Sequence, residues 1–195
     1  MTREAVVERA TNETSVVVRL GIDGTGRTQV STGVPFFDHM LDALGRHALL
    51  DLDVSATGDL AVDAHHTVED VGICVGRAIA EALGERAGIR RFGWAAVPMD
   101  EALVLAAIDV SGRGSLTYDV EVPIELIGTF DTTLAKEFLV AVATNAAITV
   151  HLHQVEGESA HHIIEAAFKA FARALRDALE IDPRVQGVPS TKGAL

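Results

Sequence analysis

His65-His66-Thr67-Val68-Glu69 and His161-His162-Ile163-Ile164-Glu165 are two copies of one pattern, His-His-x-x-Glu, one in each half of the chain. Each copy opens a stretch in which apolar residues recur with helical spacing. Positions i and i+4 share one face of a helix, so the first histidine and the glutamate of each copy can bind the same cation. The middle histidine points about 100° away and can reach a second cation. Each copy therefore predicts half of a two-metal site.

The elements around the two copies follow the same order, and this repetition decides the fold class. In the first half, the patterns predict strands at 14–22 and 27–32, a helix at 36–49, a strand at 50–56 and a helix from His65 to Leu83. In the second half, they predict strands at 94–99, 102–110 and 115–122, a helix at 132–146, a strand at 147–155 and a helix at 161–179.

The predicted fold is therefore α+β, with internally duplicated ββαβα-type halves at about 1–90 and 91–195 in a single domain. The repeat also aligns His39 with Glu137, because each lies near the start of the earlier helix in its half. Both are candidate metal ligands. The sequence leaves open whether the two motifs face each other within one subunit or across an interface between copies.

Composition limits the classes of function. The chain has 195 residues, of which 48% are hydrophobic, enough for one core. Its net charge of −12 argues against a nucleic-acid or anionic-membrane partner. No apolar run reaches the roughly 18 residues that a membrane span needs, and no signal peptide is apparent. The single cysteine, Cys74, excludes an internal disulfide and predicts a cytoplasmic protein.

The ligand types indicate which cations the motifs suit. Imidazole-rich sites with one carboxylate per ion favour Mn²⁺, Zn²⁺, Fe²⁺ or Co²⁺ over Mg²⁺ and Ca²⁺. His47 follows His39 by two helical turns and is expected to pack or to orient a ligand. His151 and His153 alternate on a predicted strand, and we interpret them as structural.

Several basic and hydroxyl residues could bind an anionic group. Arg113 lies between two glycines after a buried strand, and the tail Pro189-Ser190-Thr191-Lys192-Gly193 could close over a phosphate. Lys169 follows Glu165 by one helical turn, which predicts an ion pair beside the metals. Arg91 is a fourth candidate. Glu13 precedes the first predicted strand, and spacing alone indicates only an exposed carboxylate.

These motifs, in this order, resemble the imidazoleglycerol-phosphate dehydratases of histidine biosynthesis. The resemblance spans nearly the whole chain. It is carried by Thr11-Asn12-Glu13-Thr14, Phe36-Phe37-Asp38-His39-Met40-Leu41-Asp42, Gly58-Asp59, His65-His66-Thr67-Val68-Glu69-Asp70, Met99-Asp100-Glu101-Ala102-Leu103, Ser111-Gly112-Arg113, His161-His162-Ile163-Ile164-Glu165-Ala166, Phe168-Lys169-Ala170 and Pro189-Ser190-Thr191-Lys192-Gly193.

The resemblance implies a fold similar to the second domain of ribosomal protein S5, and trimers that assemble into a 24-subunit shell. It also implies active sites between subunits, each holding two Mn²⁺ ions. The implied metal ligands are His39, His65, His66, Glu69, His161, His162 and Glu165, with Glu137 at a position where some members have histidine. The implied substrate-binding residues, chiefly for phosphate, are Arg91, Arg113, Lys169, Ser190, Thr191 and Lys192, together with Glu13. The predicted catalytic carboxylates are Glu13, Glu69 and Glu165.

The reaction that the resemblance implies is dehydration of D-erythro-imidazole-glycerol phosphate to imidazole-acetol phosphate by a hydro-lyase. A metal-stabilised imidazolate would expel the hydroxyl group through a diazafulvene, with Glu13 as the proton shuttle. Two other functions fit parts of the pattern. A dinuclear phosphoesterase would direct the metals at the phosphate, and a metal-stapled assembly protein would use them only to hold subunits together.

Overall fold

The computed structural model describes residues 2–193 and 195. The first half contains β1 (Glu4–Ala10), β2 (Thr14–Gly21), β3 (Thr28–Ser31), α1 (Pro35–Ala48), β4 (Asp51–Gly58) and α2 (His65–Leu83). The second half contains β5 (Phe92–Met99), β6 (Ala102–Asp109), β7 (Ser115–Asp119), the short strands β8 (Leu126–Ile127) and β9 (Phe130–Asp131), α3 (Leu134–Ala146), β10 (Thr149–Glu156) and α4 (Ala160–Leu179).

The two halves share one topology. Each forms a four-stranded sheet, in the orders β1-β2-β4-β3 and β5-β6-β10-β7. The last pair of each sheet is parallel and the other pairs are antiparallel. The earlier helix of each half ends at a left-handed residue, Leu49 or Ala147, and the chain then enters the next strand. The prediction of a duplicated α+β fold is therefore confirmed.

The core lies between the two sheets, where the helices pack. α2 covers β1 and β2, and α4 covers β5 and β6. The halves are joined by two helix pairs, α1 with α4 and α2 with α3. Alternate residues of each central strand point inward, as Val16, Val18 and Leu20 do on β2. This alternation is the pattern expected of a sheet with one buried face.

Glycines permit the closest approach of α2 to α3. A methyl group on Gly76 would lie 2.7 Å from the carbonyl oxygen of Val142. The same group on Gly72 would lie 2.8 Å from the Cβ of Ala141. The two helices run parallel at this contact, so the start of α3 lies beside the first metal motif. In the same way, α1 runs parallel to α4 and brings His39 beside the second motif.

Two elements differ from the sequence prediction. β1 was not predicted, because its burial alternates weakly between exposed charges and half-buried residues. The hairpin of β8 and β9 was also missed, since each strand has only two residues. The first half thus has three strands before its first helix, and the second half has five, β5 to β9. No helix among the described residues is long and apolar enough to cross a bilayer. The predicted domain boundary near residue 90 stays a prediction.

Candidate active site

Each His-His-x-x-Glu motif begins a long helix that packs on its own sheet. Asp63 accepts a hydrogen bond from the backbone of His65 at 2.8 Å, just before α2. Ser159 is the N-cap of α4, and its hydroxyl accepts a long bond from the backbone of His162 at 3.5 Å. Such caps satisfy amide groups that a helix start leaves free, and they fix where each motif begins.

The second motif forms a compact group with α1. Ligand atoms of His39, His161 and Glu165 all lie within 4.8 Å of one another, the single such group of three among residues 2–193 and 195. The Nε2 atoms of His161 and His39 lie 3.2 and 3.7 Å from Glu165 Oε2. The ring of Phe36 packs against both imidazoles, with centroids 5.0 Å from His161 and 6.5 Å from His39. This arrangement supplies two imidazoles and a carboxylate to one point.

Glu165 is a buried carboxylate, and Lys169 lies beside it as the spacing predicts. The Lys169 Nζ atom is 2.6 Å from Glu165 Oε1. Burial alone would raise the pKa of Glu165, but the Lys169 hydrogen bond and the charges of Lys169, His39 and His161 lower it overall. Lys169 also contacts the sulfur of Met99 at 3.6 Å. Glu165 is therefore held as an anion with one oxygen facing the two histidines.

His162 is oriented by acidic residues from the turn between β5 and β6. Its Nδ1 lies 2.7 Å from Glu101 Oε2, and its Nε2 lies 3.7 Å from Asp100 Oδ2. The second Glu101 oxygen accepts from the backbone of Ser159 at 2.9 Å. The Ser159 amide and His162 lower the pKa of Glu101 to about 2, and Glu101 in turn raises the pKa of His162. A carboxylate on Nδ1 leaves Nε2 to face a cation, a common arrangement for metal-binding histidines.

The first motif has the same histidines but a more open arrangement. His65 Nε2 lies 4.0 Å from Glu69 Oε2. His66 Nδ1 is 3.0 Å from Asp59 Oδ2 and 3.8 Å from Glu13 Oε2. The hydrogen bond to Asp59 and the charge of Glu13 raise the pKa of His66. Asp59 thus acts on His66 as Glu101 acts on His162.

Glu137 occupies the place in α3 that His39 occupies in α1. His39 is the fifth residue of α1 and Glu137 is the fourth residue of α3, and each of these helices packs against a motif helix. In the part of the chain that the structure describes, however, Glu137 does not join His65 and Glu69 in a group of three ligand atoms within 4.8 Å. Among the described residues, no such group combines the two motifs either. Whether Glu137 is a ligand stays a prediction.

Most of the predicted phosphate-binding residues lie at the opposite end of α4. The backbone amide of Arg91 donates to the carbonyl oxygen of Ala178 at 2.9 Å, near the end of α4, whereas the metal motif begins at His161, at the start of α4. Roughly 25 Å of helix separate these two positions at 1.5 Å per residue. Arg91 also pairs with Asp109 at 2.7 Å and donates to the carbonyl oxygen of Pro189 at 2.9 Å, which attaches the tail there.

The remaining members of the cationic set lie near this end or on the tail. Arg113 is exposed, and it donates to the carbonyl oxygen of Ser111 at 3.1 Å. Ser190 accepts from the backbone of Lys192 at 3.2 Å, and Thr191 and Lys192 are exposed. Lys169 is therefore the one predicted phosphate ligand that the described structure brings to the motif group.

Sequence reasoning missed the carboxylates that orient the middle histidines. Asp59 directly follows β4, and Asp100 with Glu101 forms the turn before β6. Their positions in the sequence could have indicated this role, because these turns at the strand ends lie beside the starts of α2 and α4.

His47 is half-buried and faces Lys169 and Arg173, and burial together with these charges lowers its pKa. His151 and His153 are exposed on β10, where His153 pairs with Asp119 at 3.0 Å.

Comparison with known proteins identifies the family. The family model described as imidazoleglycerol-phosphate dehydratase matches residues 32–175. The imidazoleglycerol-phosphate dehydratase of Acidiphilium cryptum is 59% identical over 196 residues, covering 100% of both chains. That of Synechococcus sp. (strain CC9605) is 56% identical, covering 100% of this chain and 97% of the relative.

Solved structures agree with the sequence comparison. The crystal structure of the Pyrococcus furiosus enzyme has a TM-score of 0.84 and 39% identity, covering 97% of this chain and 100% of that one. The Staphylococcus aureus structure has a TM-score of 0.84 and 36% identity, covering 92% of this chain and 99% of that one. The chain therefore belongs to the imidazoleglycerol-phosphate dehydratase family of hydro-lyases.

Proposed function

We propose that this chain dehydrates D-erythro-imidazole-glycerol phosphate to imidazole-acetol phosphate in histidine biosynthesis in the cytoplasm, using two Mn²⁺ ions per active site. The group of His39, His161 and Glu165 is the observation that carries this proposal, because it gathers the donors that such an ion requires. Family membership supplies the substrate. The metal-ligand set also includes His65, His66, Glu69 and His162, with Glu137 as a further candidate.

The residues present fit a pair of transition-metal cations. Imidazole nitrogens and single carboxylates suit Mn²⁺ and its neighbours, and the Nδ1 partners of His66 and His162 fix which nitrogen is free. When bound, the ions would supply Lewis-acid stabilisation of negative charge on the substrate's imidazole ring.

Glu13 is the group of the chain proposed to move the proton. Its carboxylate is exposed and lies 3.8 Å from His66 Nδ1, so it stands beside the first motif. A carboxylate within reach of the carbon next to the leaving hydroxyl can accept the proton lost from that carbon. Glu69 and Glu165 would meanwhile hold their histidines and cations in place. Loss of the proton and the hydroxide together releases one water molecule.

We further propose that each active site is shared between copies of the chain, within a 24-subunit assembly of trimers. The separation of the cationic residues supports this, because roughly 25 Å is longer than one small phosphorylated substrate. Arg91, Arg113, Ser190, Thr191 and Lys192 of one copy would then hold the phosphate beside the metal motif of another. The outer face of β5 also exposes Trp94 and Phe92, at 70% and 61%, which suits burial between subunits.

A mixing experiment tests the shared site. His161→Ala and Lys192→Ala would each remove one part of it. If the two parts come from different copies, assemblies formed from both inactive variants regain part of the activity, because some sites then receive an intact motif and an intact tail. Activity in the mixture no higher than in either variant alone would contradict a shared site.

Removal and return of the cation tests the chemistry. We would strip the protein with a chelator, record the particle mass, and add Mn²⁺ with the substrate. We expect the ketone product to form only when Mn²⁺ is added, and we expect the particle to be larger with Mn²⁺ than without it. Release of inorganic phosphate would instead indicate a phosphoesterase, and assembly without product would indicate a metal-stapled scaffold.

A further inference from the structure

A buried polar network lies beneath the loop that carries Glu13. Asp70, the residue after Glu69 on α2, is 6% exposed. It accepts from Arg9 Nε at 2.8 Å and from the hydroxyl of Thr14, which is also buried. The network therefore joins the end of β1 and the start of β2 to the first metal-motif helix.

The same network fixes the backbone of the loop. The Thr11 hydroxyl lies 3.2 Å from the Thr14 hydroxyl and accepts from the backbone amides of Glu13 at 3.1 Å and Thr14 at 3.0 Å. The Thr11 amide closes the turn by donating to the Thr14 carbonyl at 2.9 Å. A continuous chain of hydrogen bonds thus runs from Asp70 to the amide of Glu13.

The second half shows that the fold itself does not need this network. By the strand registers and the helix starts, the positions of Arg9, Thr14 and Asp70 correspond to Val97, Ala102 and Ala166. Ala102 and Ala166 are fully buried and apolar, in the same architecture. Burying an ion pair costs desolvation energy, and apolar replacements of such pairs are often neutral or stabilising. The charges in the first half therefore call for an explanation other than stability.

We infer that Arg9, Thr14 and Asp70 are positioning residues, which hold the Glu13 loop in register with the first metal motif. This inference rests on the proposed role of Glu13 in proton transfer. Asp70 directly follows Glu69, so the same turn of α2 carries both a proposed cation ligand and the residue that binds the Glu13 loop. The substrate is expected to meet Glu13 and the metals in one fixed geometry as a result.

Thr14→Val tests the inference, because valine keeps the shape and removes the hydroxyl. Turnover should fall about 10- to 100-fold while KM and the Mn²⁺ content change by less than about 3-fold. Thr14→Ser restores a hydroxyl and should recover most of the turnover. Thr67→Val is the matched control, since it removes a buried hydroxyl that has no hydrogen-bond partner among the described residues.

A double-mutant cycle separates positioning from a general loss of structure. In a Glu13→Gln background, Thr14→Val should cost little further turnover, because the group that it positions is already lost. If Thr14→Val lowered turnover by the same factor in the wild-type and Glu13→Gln backgrounds, the inference would be overturned. The triple variant Arg9→Val, Thr14→Ala, Asp70→Ala copies the second half and should still fold, bind Mn²⁺ and assemble.

Hydrogen exchange provides a readout that does not depend on activity. The amides of Glu13 and Thr14 should exchange at least about 10-fold faster in Thr14→Val than in the wild type or in Thr67→Val. Unchanged exchange would overturn the inference. If Glu13→Gln keeps full turnover, the proton role in the proposed function fails, and the exchange result still decides whether the network positions the loop.

Discussion

The two metal motifs share a backbone and a histidine pattern, yet they differ in the charges beneath them. In the second half, Glu165 is buried and paired with Lys169 at 2.6 Å. In the first half, the side chain of Glu69 is 48% exposed, and Ile73 stands where the repeat would place Lys169. The buried carboxylate of the first half is instead its neighbour, Asp70. The two halves thus share the candidate metal-binding residues but differ in the charged residues that pack beside them.

This difference indicates that the two motifs bind their cations with different strength. The second motif, with His39, completes a three-donor group within one chain, and its carboxylate is fixed by an ion pair. In the first motif the carboxylate of Glu69 is exposed and has no lysine beside it at the corresponding position, and the acidic loop with Glu13 lies next to His66. A cation at the second motif is therefore expected to bind more tightly to an isolated chain than one at the first.

The largest expected effect is the contrast between Glu165→Gln and Glu69→Gln. Each should lower turnover by more than about 100-fold, because each removes a proposed ligand, and losing only a residue that hydrogen-bonds to a metal ligand already costs about 10- to 100-fold. Only Glu165→Gln should also destabilise the cation-free protein, by about 2–3 kcal/mol, because Lys169 then lacks its partner in a mostly buried site. Chemical denaturation in the presence of a chelator measures the change in stability, and an activity assay with Mn²⁺ measures the change in turnover.

Glu165→Gln combined with Lys169→Met is the control for this contrast. The double variant removes both charges, so it should recover much of the lost stability and none of the turnover. Equal destabilisation by Glu69→Gln and Glu165→Gln would contradict the difference between the two halves.

The second comparison concerns the helix pairs. Gly76 touches α3, whereas Ala172 occupies the corresponding position of α4. Gly76→Ala should destabilise the protein by about 1–3 kcal/mol through overpacking against Val142, despite a gain in helix propensity of about 1 kcal/mol. Ala172→Gly should cost about 1 kcal/mol, mainly from propensity. Chemical denaturation measures both, and a Gly76→Ala protein as stable as the wild type would show that α3 can move away.

Most of the fold could be predicted from the sequence, because the two long helices and the central strands have strong hydrophobic periodicity. β2, β4, β6 and β10 bury alternate residues, and α2 and α4 end near their predicted limits. β1 was not predicted because it has exposed charges on one side and only one buried residue, Val7. Its place in the sheet depends on pairing with β2, which periodicity within β1 does not reveal.

The candidate site was only partly visible in the sequence. Spacing alone linked His161 to Glu165 and Glu165 to Lys169, because all three lie on one helix face. It could not link His162 to Glu101, since these residues meet only when the β5–β6 turn reaches the start of α4. The same holds for Thr14 with Asp70. Contacts between distant segments depend on sheet register, and no local pattern encodes them.

The third prediction uses the pKa of Glu101, which is lowered to about 2 by the amide of Ser159 and by His162. A carboxyl group with a lowered pKa stabilises the fold above its unfolded value, near 4.5, and loses that contribution as the pH falls toward 2. Glu101→Gln should therefore lower the melting temperature at pH 6 to 7, and its difference from the wild type should shrink below about pH 4.

Glu158→Gln is the control for this pH dependence, because it removes an exposed carboxylate from the loop before α4, close to Glu101, without removing the contact to His162. Its melting temperature should follow that of the wild type. A Glu101→Gln difference that stays constant from pH 7 to pH 3 would contradict the proposed role of the charge in holding the start of α4.

The smallest expected effect comes from the residue between the ligands of the first motif. Thr67 is buried, and its hydroxyl has no hydrogen-bond partner within the part of the chain that the structure describes, whereas the corresponding residue of the second motif is the apolar Ile163. Thr67→Val should therefore be neutral or should stabilise the protein by up to about 1 kcal/mol, because it removes an unsatisfied polar group at nearly constant volume. Denaturation of the cation-free protein measures this, with Thr14→Val as the opposite case, since that hydroxyl is bonded to Asp70. A loss of more than about 1 kcal/mol in Thr67→Val would mean that the hydroxyl has a partner in solution, and that the two motif helices differ less than their sequences indicate.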